Sequence, residues 1–360
     1  MLRLLAAGSV VAFHFTFGNH AIELNPVKYP AAVTGVTRYG FLGVQTFFFI
    51  SGIVILNSAA SGSAQRFAIS RAARLYPAYW ACVTATFLVL SLAGTRTIGA
   101  IDYAVNLTML QAFAFRPLVD AVYWTLEVEL IFYGIIWLAL VTGQMKRITV
   151  VLGAWLALAA ITTAGQALGA PVPVRLVVAT GYAAYFVVGA SAALLARGDR
   201  RRSVMVLFAC SGGLSLVRAL YDARDNRAMY PGLNVTVAVA VVAVSMIVVV
   251  AVAFGVFARY GRPWMAVLGA LTYPLYLLHD EISNVLFTRW QSLNRWVLLL
   301  VVTLVVGAAS WAVHSLIEQP GGPRLRAGLN RLLGSHGRVA EAPRETVVAQ
   351  GAHAVSDIGQ

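Results

Sequence analysis

Long runs of apolar residues, each about as long as a bilayer is thick, alternate along the chain with short polar segments. A membrane-spanning helix needs about 20 predominantly apolar residues. Ten runs meet or nearly meet that length: 2–18, 39–58, 75–93, 123–142, 147–166, 175–196, 203–221, 233–257, 264–287 and 296–317. The pattern predicts an all-α polytopic membrane protein with about ten transmembrane helices.

An eleventh apolar run, residues 101–114 (IDYAVNLTMLQAFA), is too short to span a bilayer comfortably. If it does not cross, the basic loops and the Arg-bearing tail share one side of the membrane: Arg66, Arg71 and Arg74; Lys146 and Arg147; Arg197, Arg200, Arg201 and Arg202; Arg259 and Arg262. The positive-inside rule assigns that side to the cytoplasm. We therefore predict a short re-entrant or interfacial helix at 101–114, and a multi-pass inner-membrane protein with both termini in the cytoplasm.

Composition agrees with a membrane protein and excludes most other classes. Hydrophobic residues make up 59% of the chain and charged residues only 11%, against about 25% charged residues in a soluble domain. The net charge of +13 does not indicate nucleic-acid binding, because the arginines lie in short loops where they set topology. Cys82 and Cys210 fall in apolar runs, so no disulfide framework or metal site is expected. The polar segment 321–360 is predicted to be a disordered cytoplasmic tail.

Ionisable residues inside apolar runs are candidates for function, because a charge in a bilayer is costly. In the first run, His14 follows Arg3 by eleven residues. Eleven steps of about 100° return to nearly the same helix face and rise about 16 Å. Arg3 is then expected at the membrane edge, where it can snorkel, and His14 near mid-membrane. A core histidine that merely bonds to a neighbouring helix explains this spacing equally well.

A pair of arginines precedes the third run, in the segment RAARLYPAYW. Arg71 and Arg74 are three residues apart and share one helix face. Two guanidinium groups near a helix N-terminus favour an anion such as a phosphate. The alternative is that the pair only marks topology, which is the more common reason for such loops.

The fourth run contains VYWTLEVELIFYG, in which two glutamates follow Trp124. Two helical steps turn by about 200°, so Glu127 and Glu129 are predicted to point to nearly opposite faces. A carboxylate in lipid must be paired, protonated or exposed to a wet cavity. Further along, LTYPLYLLHDEI places His279 towards the outer end of its helix, and SLIEQP places Glu318 where a structural end-of-helix role is expected.

These ionisable groups on different helices, together with the arginine pair, indicate a buried chamber that an anionic cytoplasmic donor can reach. They are equally typical of a proton-coupled transporter or flippase of a polyprenyl-linked or glycosidic substrate. The residues alone leave the enzyme and the transporter open.

Six motifs occur in the order found in the membrane-bound acyltransferase-3 family of carbohydrate O-acyltransferases. They are R-LLAAGSVVAF-H, FFFISGIVI, RAARLYPAYW, YWTLEVELIFY, LTYPLYLLH and LIEQP. The chain resembles this family over about residues 1–320, which implies a transmembrane acyltransferase domain at 1–320. The resemblance implies transfer of a small acyl group, often acetyl, from acyl-CoA to a hydroxyl of a sugar or glycosylated acceptor. Acyl-CoA is then a co-substrate, and no bound cofactor is expected.

The resemblance also implies roles for single residues. His14 matches the family's essential histidine, and Arg3, Arg71 and Arg74 match arginines expected to meet the donor. Glu129 matches the glutamate five residues after a tryptophan. We expect His14 to act as general base or to form a transient acyl-histidine, and Glu129 to orient its ring. The residues expected along the substrate path are Trp124, Tyr76, Tyr133 and His279.

Overall fold

The computed structural model describes residues 1–60, 62–260 and 262–333, and the regular structure within these ranges is entirely helical. This confirms the predicted all-α class. The first half of the chain forms α1 (Leu2–Phe13), α2 (Asn19–Ala21), α3 (Ala31–Thr37), α4 (Gly43–Ala59), α5 (Ala64–Ala93), α6 (Ala100–Asn106), α7 (Trp124–Val141) and α8 (Ile148–Ala167). The second half forms α9 (Val174–Thr180), α10 (Ala183–Ala196), α11 (Arg202–Asp225), α12 (Val235–Ala253), α13 (Pro263–Leu278), α14 (Glu281–Arg289), α15 (Arg295–Val313) and α16 (Gln319–Leu332).

Eight helical stretches in the described residues are long and apolar enough to cross a membrane. They are Ala31–Ala59, Ala64–Ala93, Ala121–Val141, Gln144–Ala167, Leu176–Ala196, Arg202–Asp225, Val235–Ala253 and Arg295–Leu332. The other two predicted spans are also helical. Helix α1 continues through a π-helical turn into α2, and α13 is a shorter apolar helix. The chain is therefore a multi-pass membrane protein whose environment is the lipid bilayer.

The short run at 101–114 forms α6 and a series of turns. Seven helical residues rise only about 10 Å, which is too short to cross the hydrocarbon core. The side chain of Asn106 anchors this segment, because its Nδ2 donates to the carbonyl of Pro117 (2.9 Å) and its Oδ1 accepts from the backbone of Val119 (3.0 Å).

Helices α4 and α10 pack with their backbones in close approach. A Cβ atom on Gly52 would collide with the carbonyl of Phe186, and one on Gly189 would collide with the carbonyl of Phe49. Small residues permit this approach in membranes, where van der Waals packing and interhelical bonds replace the hydrophobic effect between helices. The two glycines therefore place α4, and the polar residues that it carries, against the centre of the bundle.

The close contact predicts a stability effect. Gly189→Ala must push α4 and α10 apart, at a cost of about 1–3 kcal/mol for overpacking. Gly153→Ala in α8 is the matched control, because no atom lies within 4 Å of a Cβ built there. We expect a lower melting temperature in detergent for Gly189→Ala alone, and equal melting of the two variants would contradict the packing argument.

The predicted span 264–287 is wrong as one continuous helix. Helix α13 ends at Leu278 and α14 begins at Glu281, so the chain breaks at His279 and Asp280, both of which are buried. Apolar patterning could not predict this break, because the run contains no internal glycine or proline at that point.

Tertiary hydrogen bonds stabilise the break by satisfying backbone groups that a helix end leaves open. The hydroxyl of Tyr123 donates to the carbonyl of Leu277 (3.2 Å), and Asp120 Oδ2 accepts from the backbone N–H of Glu281 (3.3 Å). The segment before α7 therefore holds the interrupted helix in place.

The predicted tail begins as a helix in the structure. Helix α16 includes residues 321–332 and lies against α5, where Gly321 sits over Pro77 and Gly322 over the carbonyl of Ala73. The absence of side chains at the two glycines permits this close packing. Residues 334–360 of the predicted tail lie outside the described residues.

Candidate active site

His14 opens a π-helical turn, His14–Gly18, that interrupts the first membrane helix. Single π-helical turns are rare in proteins, but those that occur are often found at functional sites. The extra residue in the turn shifts the following side chains off the regular helical path. The imidazole is mostly buried, with 18% of its side chain exposed. It lines a cavity of about 440 Å³, which we call the histidine cavity.

Three side chains from three segments form a buried network around this ring. His14 Nδ1 lies 2.8 Å from Asn19 Oδ1 and 3.1 Å from Asp280 Oδ1. Asn19 Nδ2 in turn donates to Asp280 Oδ1 (2.7 Å) and to Asn284 Oδ1 (2.8 Å). The break between α13 and α14 thus delivers the carboxylate that contacts His14.

The network determines which ring nitrogen of His14 is protonated. The amide oxygen of Asn19 and the carboxylate of Asp280 can only accept hydrogen bonds, so Nδ1 must be the donor. In the neutral ring, Nε2 then carries the lone pair. A histidine held in this tautomer can take a proton through Nε2, while the carboxylate stabilises the imidazolium that forms.

His279 lies beside this network. Its ring centroid is 5.0 Å from that of His14, and its Nδ1 bonds to the carbonyl of Tyr276 (2.8 Å). Its Nε2 is buried without a hydrogen-bond partner in the described part of the chain. His279, which we expected along the substrate path, is fully buried and packs against the ring of His14.

The histidine cavity combines aromatic walls with polar side chains. Aromatic residues contribute Phe13, Phe41, Trp124, Tyr182, Tyr230 and Tyr276. Polar groups contribute His14, Asn19, Gln45, Asp222, Asp225, Asn226 and Asp280. The volume lies within the roughly 300–1,000 Å³ typical of small-molecule sites.

A second cavity, of about 220 Å³, lies at the Arg3 end of α1. We call it the arginine cavity, since Arg3, Arg71 and Arg74 all line it, with Glu129 as the single carboxylate among its lining residues. Arg74 also pairs with Glu318 outside this lining, so three cations against two carboxylates leave the cavity electropositive. The structure thus brings Arg3 of α1 and the arginine pair of α5 to one cavity.

Glu318 and the aromatic rings hold the arginine pair in place. Arg74 forms an ion pair with Glu318, which also accepts from His314 Nδ1 (2.8 Å). Arg71 donates to Ser58 (3.1 Å) and lies 5.9 Å from the ring centre of Tyr133. Glu318 thus does more than end a helix, because it fixes a guanidinium at the cavity wall.

The two glutamates of α7 do point to different places. Glu129 Oε1 accepts from Ser51 (2.9 Å) and Tyr133 (3.0 Å) in the arginine cavity. Glu127 is buried on the other side and accepts from the backbone N–H of Ala112 (3.0 Å). The structure places Glu129 with Arg3, and the carboxylate beside His14 is Asp280.

Of the other residues predicted along the substrate path, two line one of these cavities and one does not. Trp124 lines the histidine cavity and Tyr133 lines the arginine cavity. Tyr76 lines neither of these two cavities, and its hydroxyl donates to the carbonyl of Thr108 (2.9 Å); it lines a separate pocket with Arg71 and Tyr133.

The two cavities meet at a shared wall. Val44 of α4 and Tyr276 of α13 line both of them. A third opening, of about 580 Å³, lies between α5 and α16, and Arg71 and Arg74 line it as well. We call it the C-terminal groove. Among the described residues, no three His, Cys, Asp or Glu side chains are placed to hold a metal ion.

A comparison with known families identifies the class of this site. The family model for the acyltransferase-3 domain, described as an acyltransferase domain, matches residues 1–314. The chain belongs to the acyltransferase-3 family. No curated protein and no solved structure matches it. Membership of this family favours an acyltransferase over the proton-coupled transporter that the residues alone left open.

The sequence reasoning missed Asp280 and Asn19, the two residues whose side chains bond to His14 Nδ1. The segment LLHDEI carried a usable signal, because a carboxylate in an apolar run is subject to the same rule that singled out His14. The spacing from Asp280 to His14 along the chain is too large for any periodicity to connect these two residues.

The network predicts the effect of neutralising Asp280. Asp280→Asn keeps the shape of the side chain but removes the charge that stabilises the imidazolium. We expect acyl transfer from a labelled donor to fall by at least about 100-fold, the lower end of the range for a general base. Asp199→Asn is the control, because Asp199 pairs with Arg201 in a loop and lines neither cavity. Near-normal turnover of Asp280→Asn would contradict the assigned role.

Proposed function

We propose that this acyltransferase transfers a small acyl group, such as acetyl, from acyl-CoA to a hydroxyl of a sugar or glycoside. The donor binds at the arginine cavity, the acceptor binds in the histidine cavity, and His14 is the general base. One observation carries the proposal: an electropositive cavity and a His–Asp cavity lie at the two ends of the same membrane helix and share a wall.

The arginine cavity and the C-terminal groove together suit an anionic donor that carries a thioester. Arg71 and Arg74 line both the arginine cavity and the C-terminal groove, to which Arg326 is added. Guanidinium groups bind phosphates through paired, charge-assisted hydrogen bonds. The nucleotide phosphates of acyl-CoA would lie in the groove, and the thioester arm would enter the arginine cavity.

The chemistry at the wall follows from the tautomer of His14. Nε2 removes the proton of the acceptor hydroxyl while the oxygen attacks the thioester carbonyl carbon. The carbon–sulfur bond then breaks, and the departing thiolate takes the proton from the imidazolium, which leaves an ester and free coenzyme A. Asp280 stabilises the charged ring between these two proton transfers.

A transient acyl-histidine is the alternative mechanism: Nε2 attacks the thioester carbonyl carbon and the thiolate of coenzyme A leaves. The acceptor hydroxyl then attacks the acyl-imidazole, the carbon–nitrogen bond breaks, and the hydroxyl proton passes to the thiolate. This mechanism is favoured by the division of the site into two cavities, because the acyl group alone would then pass Val44 and Tyr276. Coenzyme A would stay at the arginine end in either case. On the positive-inside rule, we assign that end and both termini to the cytoplasm.

A turnover assay with the purified protein in lipid nanodiscs tests the proposal. Labelled acetyl-CoA is supplied with and without methyl glycosides, and labelled ester and free coenzyme A are quantified. We expect His14→Ala to lower transfer at least about 100-fold, with coenzyme A binding unchanged. His20→Ala is the control, because His20 bonds to the carbonyl of Asn25 and lines neither cavity. Absence of any thioester turnover in the wild-type protein would sink the proposal.

The donor site predicts a separate loss of affinity. Removing one charge-assisted bond costs about 1.5–3 kcal/mol, so Arg71→Ala should weaken coenzyme A binding about tenfold or more by calorimetry. Arg71→Lys should restore only part of the affinity for coenzyme A, since lysine lacks the planar guanidinium group that forms paired hydrogen bonds. Arg66→Ala is the control one turn earlier, where Arg66 bonds to Ser63 and lines neither cavity. Equal affinity of both alanine variants would mean that Arg71 only marks topology.

A further inference from the structure

The wall of the histidine cavity that α11 contributes is acidic. Asp222, Asp225 and the following Asn226 line it, at the end of that helix. With Asp280, the lining therefore holds three carboxylates, and no lysine or arginine is among its described lining residues. This is the opposite of the arginine cavity.

Asp222 is held at the wall by an ion pair with the buried side chain of Arg218. Arg218 Nη2 donates to Asp222 Oδ1 (2.6 Å), and Arg218 Nη1 donates to Gln166 (2.7 Å). Asp222 Oδ2 has no hydrogen-bond partner in the described part of the chain. A buried acceptor without a partner is costly, so a small movement of this side chain that lets Oδ2 accept from a ligand hydroxyl or ammonium would remove that cost.

Cations near the rim are occupied elsewhere. Arg38 donates to the carbonyls of Thr34 and Pro231, and Arg227 donates to the carbonyl of Leu233 (3.1 Å). Neither side chain lines the cavity. They hold the loop around Tyr230. Arg218 compensates the charge of Asp222 from outside the lining, so the exposed Asp225 is the charged group that this wall presents to the cavity.

Aromatic rings complete the chemistry of the cavity. Trp124 and Tyr182 lie with ring centroids 5.0 Å apart, and Tyr230 contacts Phe13 edge-on at 5.1 Å. Such surfaces accept the apolar face of a sugar ring, while carboxylates and amides accept its hydroxyls. An aromatic face also attracts an ammonium group.

We propose that the histidine cavity selects acceptors that carry no negative charge: a neutral sugar ring or one that bears an amine. This inference rests on the proposed function and defines its acceptor class. A uronate or phosphorylated ring would bring its anion against the exposed carboxylate of Asp225 and beside Asp222, and like charges brought together at an interface oppose binding. Asp222 and Asp225 are the residues that determine this specificity.

Binding of three matched probes tests the proposal without any chemistry. Methyl glucoside, methyl glucosaminide and methyl glucuronide are titrated onto the full chain in nanodiscs, without a donor, by saturation-transfer NMR. We expect the first two to bind, and the glucuronide to bind at least about tenfold more weakly, equivalent to about 1.4 kcal/mol. Equal or tighter binding of the glucuronide, or binding of none of the three, would overturn the inference.

Variants locate the effect. Asp225→Asn should reduce the ratio of glucoside to glucuronide affinity, the affinity gap, several-fold, because it removes an exposed carboxylate at the rim of the cavity. Asp199→Asn should leave the gap unchanged. Trp124→Ala should weaken binding of the glucoside, whereas Arg71→Ala, at the other cavity, should not. A gap that Asp225→Asn leaves unchanged would contradict the assignment to this wall.

The binding result is separable from the proposed reaction. If the charge preference is present but no labelled ester forms with acetyl-CoA, the proposed donor or reaction fails while the acceptor site stands. If ester forms equally well on the glucoside and the glucuronide, the reaction stands and the charge selection fails.

Discussion

Within a bilayer the carboxylate of Asp280 must have hydrogen-bond partners or an ion-pair partner. The residues that provide these bonds set the geometry of the site. Asn19 and His14 satisfy the carboxylate from the first membrane helix, and both of those residues depend on the π-helical turn for their positions. The same carboxylate lies where α13 gives way to α14. One buried network therefore ties the start of the chain to its penultimate predicted span and fixes the tautomer of the histidine.

The separation of charge between the two cavities follows from this arrangement. Arg3 and His14 lie on one helix, so the distance between the electropositive and the acidic ends is set by helical rise. Val44 of α4 and Tyr276 of α13 lie at the boundary between the two cavities, since both residues line each of them. An anionic donor and an uncharged acceptor would each find a matching environment, and only a narrow region between Val44 and Tyr276 would be common to both.

The glutamates of α7 show how far the sequence could go. Helical geometry correctly predicted that Glu127 and Glu129 face different ways, because a two-residue step is a local property. It could not say which partner each would meet. Glu129 lies with Arg3 and Tyr133, and the pairing with His14 that the family motif suggested is made by Asp280 instead.

By itself, the sequence determined that this protein lies in a lipid bilayer and is helical, since the length and apolarity of each run reflect bilayer thickness. It also singled out His14 and the arginines, because ionisable groups in apolar runs are costly and stand out locally. Only the tertiary structure decided where 264–287 breaks and which carboxylate meets His14. Both depend on hydrogen bonds between residues far apart in the chain, such as Asp120 with Glu281 and Asn19 with Asp280. No periodicity along the sequence records such pairs, because they form only when the helices pack.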